Sequence, residues 1–98
     1  MTQVVLINPF EVPPGQEEAC LALWERAAEF MRRQPGFVST RLHRAVSPDA
    51  RFAFFNVAIW ESAEAFHKAI ASEEFQRITA GSMEAFPHHP ALYEVIRT

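Results

Sequence analysis

Glycine and cysteine are scarce: the 98 residues hold three of the first and one of the second. A Gly-rich phosphate loop and a dinucleotide fingerprint both need several glycines at fixed spacing, so that backbone can approach an anion. Neither is here, and a nicotinamide or flavin cofactor has no support in the sequence. The lone cysteine, Cys20, leaves no intrachain disulfide to form. It reads as a small buried hydrophobe, with a redox role as the lesser alternative. No run of Lys or Arg makes a basic stripe and the formal net charge is −3, which argues against a nucleic-acid partner. No apolar run approaches the ~20 residues of a membrane helix. The N-terminus lacks the charged and apolar regions and cleavage site of a secretory leader. The expectation is a cytoplasmic protein with no membrane partner. No serine sits in a nucleophile elbow. His88 and His89 are adjacent, with no third ligand at useful spacing, so no metal site is expected and the pair reads as solvent-exposed.

Apolar bulk is abundant instead. The chain is 49% hydrophobic and 21% charged, with nine phenylalanines and two tryptophans. Its length fits a single domain over residues 1–98. A domain this small buries a modest share of its surface, so part of this payload is expected to be covered by a second copy or a ligand.

The patterning gives the element order. Residues 3–12 are β-branched and apolar and read as a strand, with Val4, Leu6, Asn8, Phe10 and Val12 on one face. Pro9 hints at an edge position or a bulge. After Pro13-Pro14-Gly15, residues 16–34 read as a helix whose stripe is Cys20, Leu23, Trp24, Ala27, Phe30 and Met31. Glu17 and Glu18 suit its first turn, Arg32 and Arg33 its last, and Glu29 and Arg33 are spaced as an i,i+4 pair. Pro35-Gly36 ends it. Residues 37–46 form a second strand, 47–50 a turn and 52–60 a third strand. Ser62 and Ser72 each open a helix as N-caps, the second ending near Gly81. Residues 82–90 are a loop and 91–97 the last strand. The order β-α-β-β-α-(α)-β is the ferredoxin-like, α+β arrangement, with a four-stranded antiparallel sheet and helices on one face. The other face needs cover, most commonly from a homodimer.

Asn56 and Trp60 lie four residues apart on the third strand, hence on one face, with Phe52, Phe54 and Ala58. A buried amide in an apolar row needs a partner. Asn56 is thus either a link to a neighbouring loop or the polar contact of a small-molecule pocket, where its amide would donate to a carbonyl or enolate oxygen. Trp60 either fills the sheet–helix junction or walls that pocket with its N–H as donor. Asn8 repeats the theme between Leu6 and Phe10, and Phe54 and Phe66 are candidate apolar walls. His43 has the parity of Phe37 and Ala45, which points it inward; it is a structural histidine or a base. Arg41 shares its face and either holds an anionic substrate or closes an ion pair. His67 falls on a helix and points to solvent.

Pro35-Gly36-Phe37 after a long helix, followed by N-x-x-x-W-E-S-x-E-A-F from Asn56 to Phe66, resembles the antibiotic biosynthesis monooxygenase family, over roughly residues 3–97. The resemblance implies a dimeric α+β barrel, two sheets packed across a two-fold axis, with a cavity between sheet and helices in each protomer. It implies a quinone-forming monooxygenase that oxidises a phenolic, quinol or polycyclic aromatic substrate with O2 and uses no metal, flavin or haem. Asn56 and Trp60 match the asparagine and tryptophan of that branch, and His43 falls near its strand histidine. Phe66 stands where that branch has a tyrosine, which removes a phenolic OH. A non-catalytic, small-molecule-binding or stress-related protein with the same cavity is the alternative. The haem-degrading branch is matched at Asn8 only. Ala69 stands at its tryptophan position and Thr79 at its ligand histidine, so the iron loses its proximal imidazole.

Overall fold

The computed structural model describes residues 3–80 and 85–98. Among these residues the elements follow in chain order: β1 Val4–Phe10, α1 Glu17–Arg32, β2 Phe37–Arg44, β3 Phe54–Trp60, α2 Ala63–Ile70, α3 Glu73–Thr79 and β4 Ala91–Tyr93. The strands form one sheet in the order β2-β3-β1-β4, and every pairing is antiparallel. This is the expected α+β, ferredoxin-like arrangement. The expected helix end near Gly81 and the start of the following loop fall on residues 81–84, outside the described residues. Among the described residues no helix is long and apolar enough to cross a membrane.

Local chemistry explains the boundaries. The Ser62 hydroxyl accepts from the Ala65 N–H at 3.1 Å and the Ser72 hydroxyl from Phe75 at 3.2 Å, so both serines cap a helix as read. The Ser47 carbonyl and hydroxyl take the N–H groups of Ala50 and Asp49, which turns the chain between β2 and β3. Gly36 has φ +87° and lies against α2, where a Cβ would come within 2.5 Å of the Ala65 Cβ. Only glycine meets both demands.

Several strand limits are shorter than the pattern implied. β1 stops at Phe10, β2 at Arg44, and β3 starts at Phe54, so Phe52 lies outside the ladder, edge-on to His89. β4 is three residues long rather than seven. Its register pairs Tyr93 with Val5, one residue from the start of β1, so the chain beyond has almost no strand left to pair with. Val95 and Ile96 are accordingly exposed. β1 is also central rather than an edge, despite Pro9. Its carbonyl accepts from the His89 N–H at 3.1 Å. In a strand the N–H and C=O of one residue point the same way, so the missing donor faces residues 88–90. There the ladder has thinned to a single Phe10–His88 bridge. Arg33 reaches Glu74 on α3 at 3.1 Å rather than pairing with Glu29.

The helices cover one face of the sheet. On that inner face β3 presents Phe54, Asn56, Ala58 and Trp60, all buried, and β1 presents Leu6, Asn8 and Phe10, also buried. Two apolar clusters form. One joins Leu6, Ala58 and Trp60 to Phe66 and Ala69 of α2; the other joins Phe10 and Phe54 to Cys20 and Leu23 of α1 and to Phe86. Asn8 and Asn56 face each other in register between the two clusters. The outer face carries Val5, Ile7, Val57, Ile59, Phe55 and Tyr93, half-buried or exposed.

Candidate functional site

Between the two clusters the sheet and helices enclose a cavity of about 310 Å³. Its floor is the inner face of β1 and β3, including Asn8, Asn56 and Trp60. Its roof is the apolar stripe of α1, and Phe75, Gln76 and Thr79 of α3 close one side. Most of the lining is apolar, and among the described residues none of it is Asp, Glu, Lys or Arg. This is the composition of a small-molecule pocket, in which a few polar groups fix orientation.

Those polar groups form a row across the sheet. Thr40 on β2 sits diagonally from Asn56, and its hydroxyl donates to Asn56 Oδ1 at 2.7 Å. With its carbonyl taken, Asn56 has its amide N–H groups left to offer. Opposite it, Asn8 Oδ1 is buried and meets no donor among the described residues. Both asparagines are 8% exposed. A sealed amide oxygen without a partner costs about 1–3 kcal/mol. The pair therefore presents a donor and an unmet acceptor side by side, which suits a ligand carrying an oxygen acceptor next to an O–H.

Trp60 is 1% exposed and held edge-on by Phe37 at 5.4 Å and by Phe66 at 5.6 Å. Such contacts add about 0.5–1.5 kcal/mol each and fix the indole plane. Asn56, Trp60 and Asn8 line the cavity, as the alternation on β1 and β3 implied, and Phe66 joins them from α2. Phe54 is on the inner face but is consumed by the second apolar cluster and does not reach the lining.

His43 and Arg41 are elsewhere. The β2–β3 register pairs Phe37 with Trp60 but Ser39 with Ile59, so a bulge at Val38 inserts one residue. Beyond it the parity is reversed: Thr40 and Leu42 turn inward, Arg41 and His43 outward. His43 is exposed, its Nδ1 3.2 Å from the Phe55 carbonyl, and neither residue lines the cavity. The same slip is why Thr40 was not singled out from the sequence.

His88 was also missed. It is half-buried rather than exposed, lines the cavity and stacks on Phe10 at 5.5 Å, while His89 turns outward to Glu11 at 3.2 Å. Loop residues offer no periodicity from which to read this. Cys20 is buried, as expected, and burial pushes its thiol pKa above the ordinary 9.0. Among the described residues no group of three or more His, Cys, Asp or Glu is placed to hold a metal ion.

Comparison with known proteins agrees with this architecture. The sequence profile of the antibiotic biosynthesis monooxygenase family matches residues 3–81. Deoxynogalonate monooxygenase of Streptomyces nogalater is 36% identical over 73 residues, 74% of this chain. The match takes in 59% of that relative's length. A solved structure from Shewanella loihica PV-4 superposes with a TM-score of 0.84 at 41% identity, covering 99% of this chain and 97% of that one. SnoaB, a cofactor-independent oxygenase from Streptomyces nogalater, superposes with a TM-score of 0.85 at 28% identity, covering 100% and 97%. With the profile spanning most of the chain and the fold shared end to end, this protein belongs to the antibiotic biosynthesis monooxygenase family.

Proposed function

We propose that the protein is a cofactor-independent monooxygenase that oxidises a small phenolic, quinol or polycyclic aromatic substrate with O2. The observation that carries this reading is the pair of buried asparagines, one with its amide aimed by Thr40 and one with an unmet oxygen, in a mostly apolar cavity. Similarity to deoxynogalonate monooxygenase and to SnoaB supports it. The aromatic walls would hold a flat substrate. Its acidic C–H or O–H loses a proton, and the electron-rich anion reduces O2 directly. For a methylene carbon the balance is CH2 + O2 → C=O + H2O, with all four electrons from the substrate. The protein binds the aromatic, excludes water and stabilises negative charge on the substrate oxygen. Asn56 supplies amide donors for that charge, Trp60 its indole N–H, and Asn8 accepts from a substrate O–H. Removing one such donor typically costs 10²–10³ in rate. The outer sheet face, rich in Val, Ile and Phe, fits packing against a second copy, so the working form would be a homodimer in the cytoplasm.

The test is oxygen uptake with anthrone and hydroquinone substrates, with products read by mass spectrometry. Turnover in the wild type that falls about 10²-fold in Asn56→Ala, with ligand binding retained, supports the reading. One observation favours a second one. Phe66 contributes no hydroxyl to the cavity. A non-catalytic binding protein would show a ligand-induced thermal shift with no oxygen consumed.

A further inference from the structure

We propose that His88 is the proton-accepting residue of this cavity; the assignment rests on the oxidative reading above. Residues 86–90 are tied to the end of β1. Pro87 O accepts from the Glu11 N–H at 2.7 Å, Pro9 O accepts from His89, and Phe10 and His88 form a bridge pair. Partners in an antiparallel pair project to the same face. His88 therefore joins Phe10 and Asn8 on the inner face, while its neighbour His89 projects outward.

The ring is fixed in position and in tautomer. It lies on Phe10 with an interplanar angle of 22°, and its Nδ1 is 2.9 Å from the Phe86 carbonyl. A carbonyl only accepts, so Nδ1 carries the hydrogen and Nε2 keeps the lone pair in the neutral ring. A proton taken at Nε2 makes an imidazolium that the Phe86 carbonyl then stabilises. His88 removes the proton from the substrate's C–H or O–H, and the electron pair stays on the substrate for transfer to O2. The imidazolium returns the proton to the reduced oxygen as water leaves.

Few competitors exist among the described residues. Of the four histidines, His43 is on the outer face, His67 is exposed on α2, and His89 is exposed against Glu11. Among the described residues the lining holds one other titratable group, Cys20 of α1, whose thiol burial keeps neutral. The α3 contributions, Gln76 and Thr79, are uncharged. Glu11, just past the end of β1, is engaged by His89 at 3.2 Å and by Arg51 from the β2–β3 loop at 3.7 Å. Amides do not accept protons at neutral pH, so Asn8 and Asn56 cannot fill the role.

The test compares the wild type with His88→Gln, His88→Ala and His43→Gln in anthrone-dependent oxygen uptake across pH. The expected result is a loss in kcat of about 10²–10³-fold in both His88 variants. Anthrone binding, read by fluorescence titration, stays within a few-fold. The acid limb of the wild-type kcat/KM profile disappears in His88→Gln, and added imidazole restores turnover to His88→Ala. His88 variants that keep the wild-type rate and profile, or an acid limb lost in His43→Gln and kept in His88→Gln, overturn the assignment and leave the oxidative reading standing. A wild type that consumes no oxygen with any anthrone or quinol overturns both.

Discussion

Thr40→Val is the sharpest probe of the cavity's polar row. Valine has nearly the shape of threonine and lacks the hydroxyl that donates to Asn56 Oδ1 at 2.7 Å. The substitution leaves a buried acceptor unmatched. Such an orphan costs about 1–3 kcal/mol, and Thr40 is half-buried, which places it at about 1–2 kcal/mol. A domain of this size loses about 4–8 °C of melting temperature per kcal/mol, so a drop of roughly 4–16 °C is expected. Activity should fall as well. Without the hydroxyl, the Asn56 amide is free to turn over and offer its oxygen where the substrate oxygen sits, and a rate loss of about tenfold is expected, close to the worth of one neutral hydrogen bond. Thr40→Ser keeps the donor and should recover most of both losses. The double variant Thr40→Val/Asn56→Leu removes donor and acceptor together and should melt near the wild type while remaining inactive, because replacing both partners with apolar groups is nearly neutral. Melting at fixed protein concentration and oxygen uptake read the outcome. A Thr40→Val protein as stable and as active as the wild type would refute the idea that this hydroxyl aims the amide.

Asn8→Leu should raise the melting temperature while abolishing ligand-induced stabilisation, because it removes the unmet buried oxygen (about 1–3 kcal/mol) together with a ligand contact; a lower melting temperature would count against it. Gly36→Ala should destabilise by about 2–5 kcal/mol in chemical denaturation, combining left-handed backbone strain with the collision against Ala65. The Cys20 thiol, with its pKa raised by burial, should resist thiol reagents until the protein unfolds. The sign of its pH effect follows: below about 9.0 both states hold a neutral thiol, and above it the unfolded chain ionises first. Stability should therefore decline more steeply in alkaline solution for the wild type than for Cys20→Ala; equal slopes would remove the effect. Val57→Asp, on the outer sheet face opposite Ile7 and Arg41, should convert the proposed dimer to monomer in analytical ultracentrifugation without emptying the inner-face cavity; a wild type that sediments as a monomer would refute the proposed dimer.

The order of elements, the two serine caps and the inward row of β1 and β3 were all legible in the chain. Each follows from forces acting within a few residues: strand alternation, a hydroxyl reaching an N–H three residues on, and prolines and glycines that break helices. Asn56, Trp60 and Asn8 reach the cavity because an uninterrupted strand keeps its parity, so their faces were fixed as soon as the strand was recognised, and Phe66 reaches it from the apolar face of α2. Tertiary structure decided the rest. The bulge at Val38 is set by how β2 meets β3, and that one residue exchanges His43 and Arg41 for Thr40. The length of β4 depends on where its partner β1 begins, and the central place of Pro9 on where the neighbouring ladder fails. His88 enters the cavity because a loop without periodicity is stitched to the far end of β1 by two backbone hydrogen bonds. Such long-range pairings depend on which segments meet in space, and no local pattern encodes them.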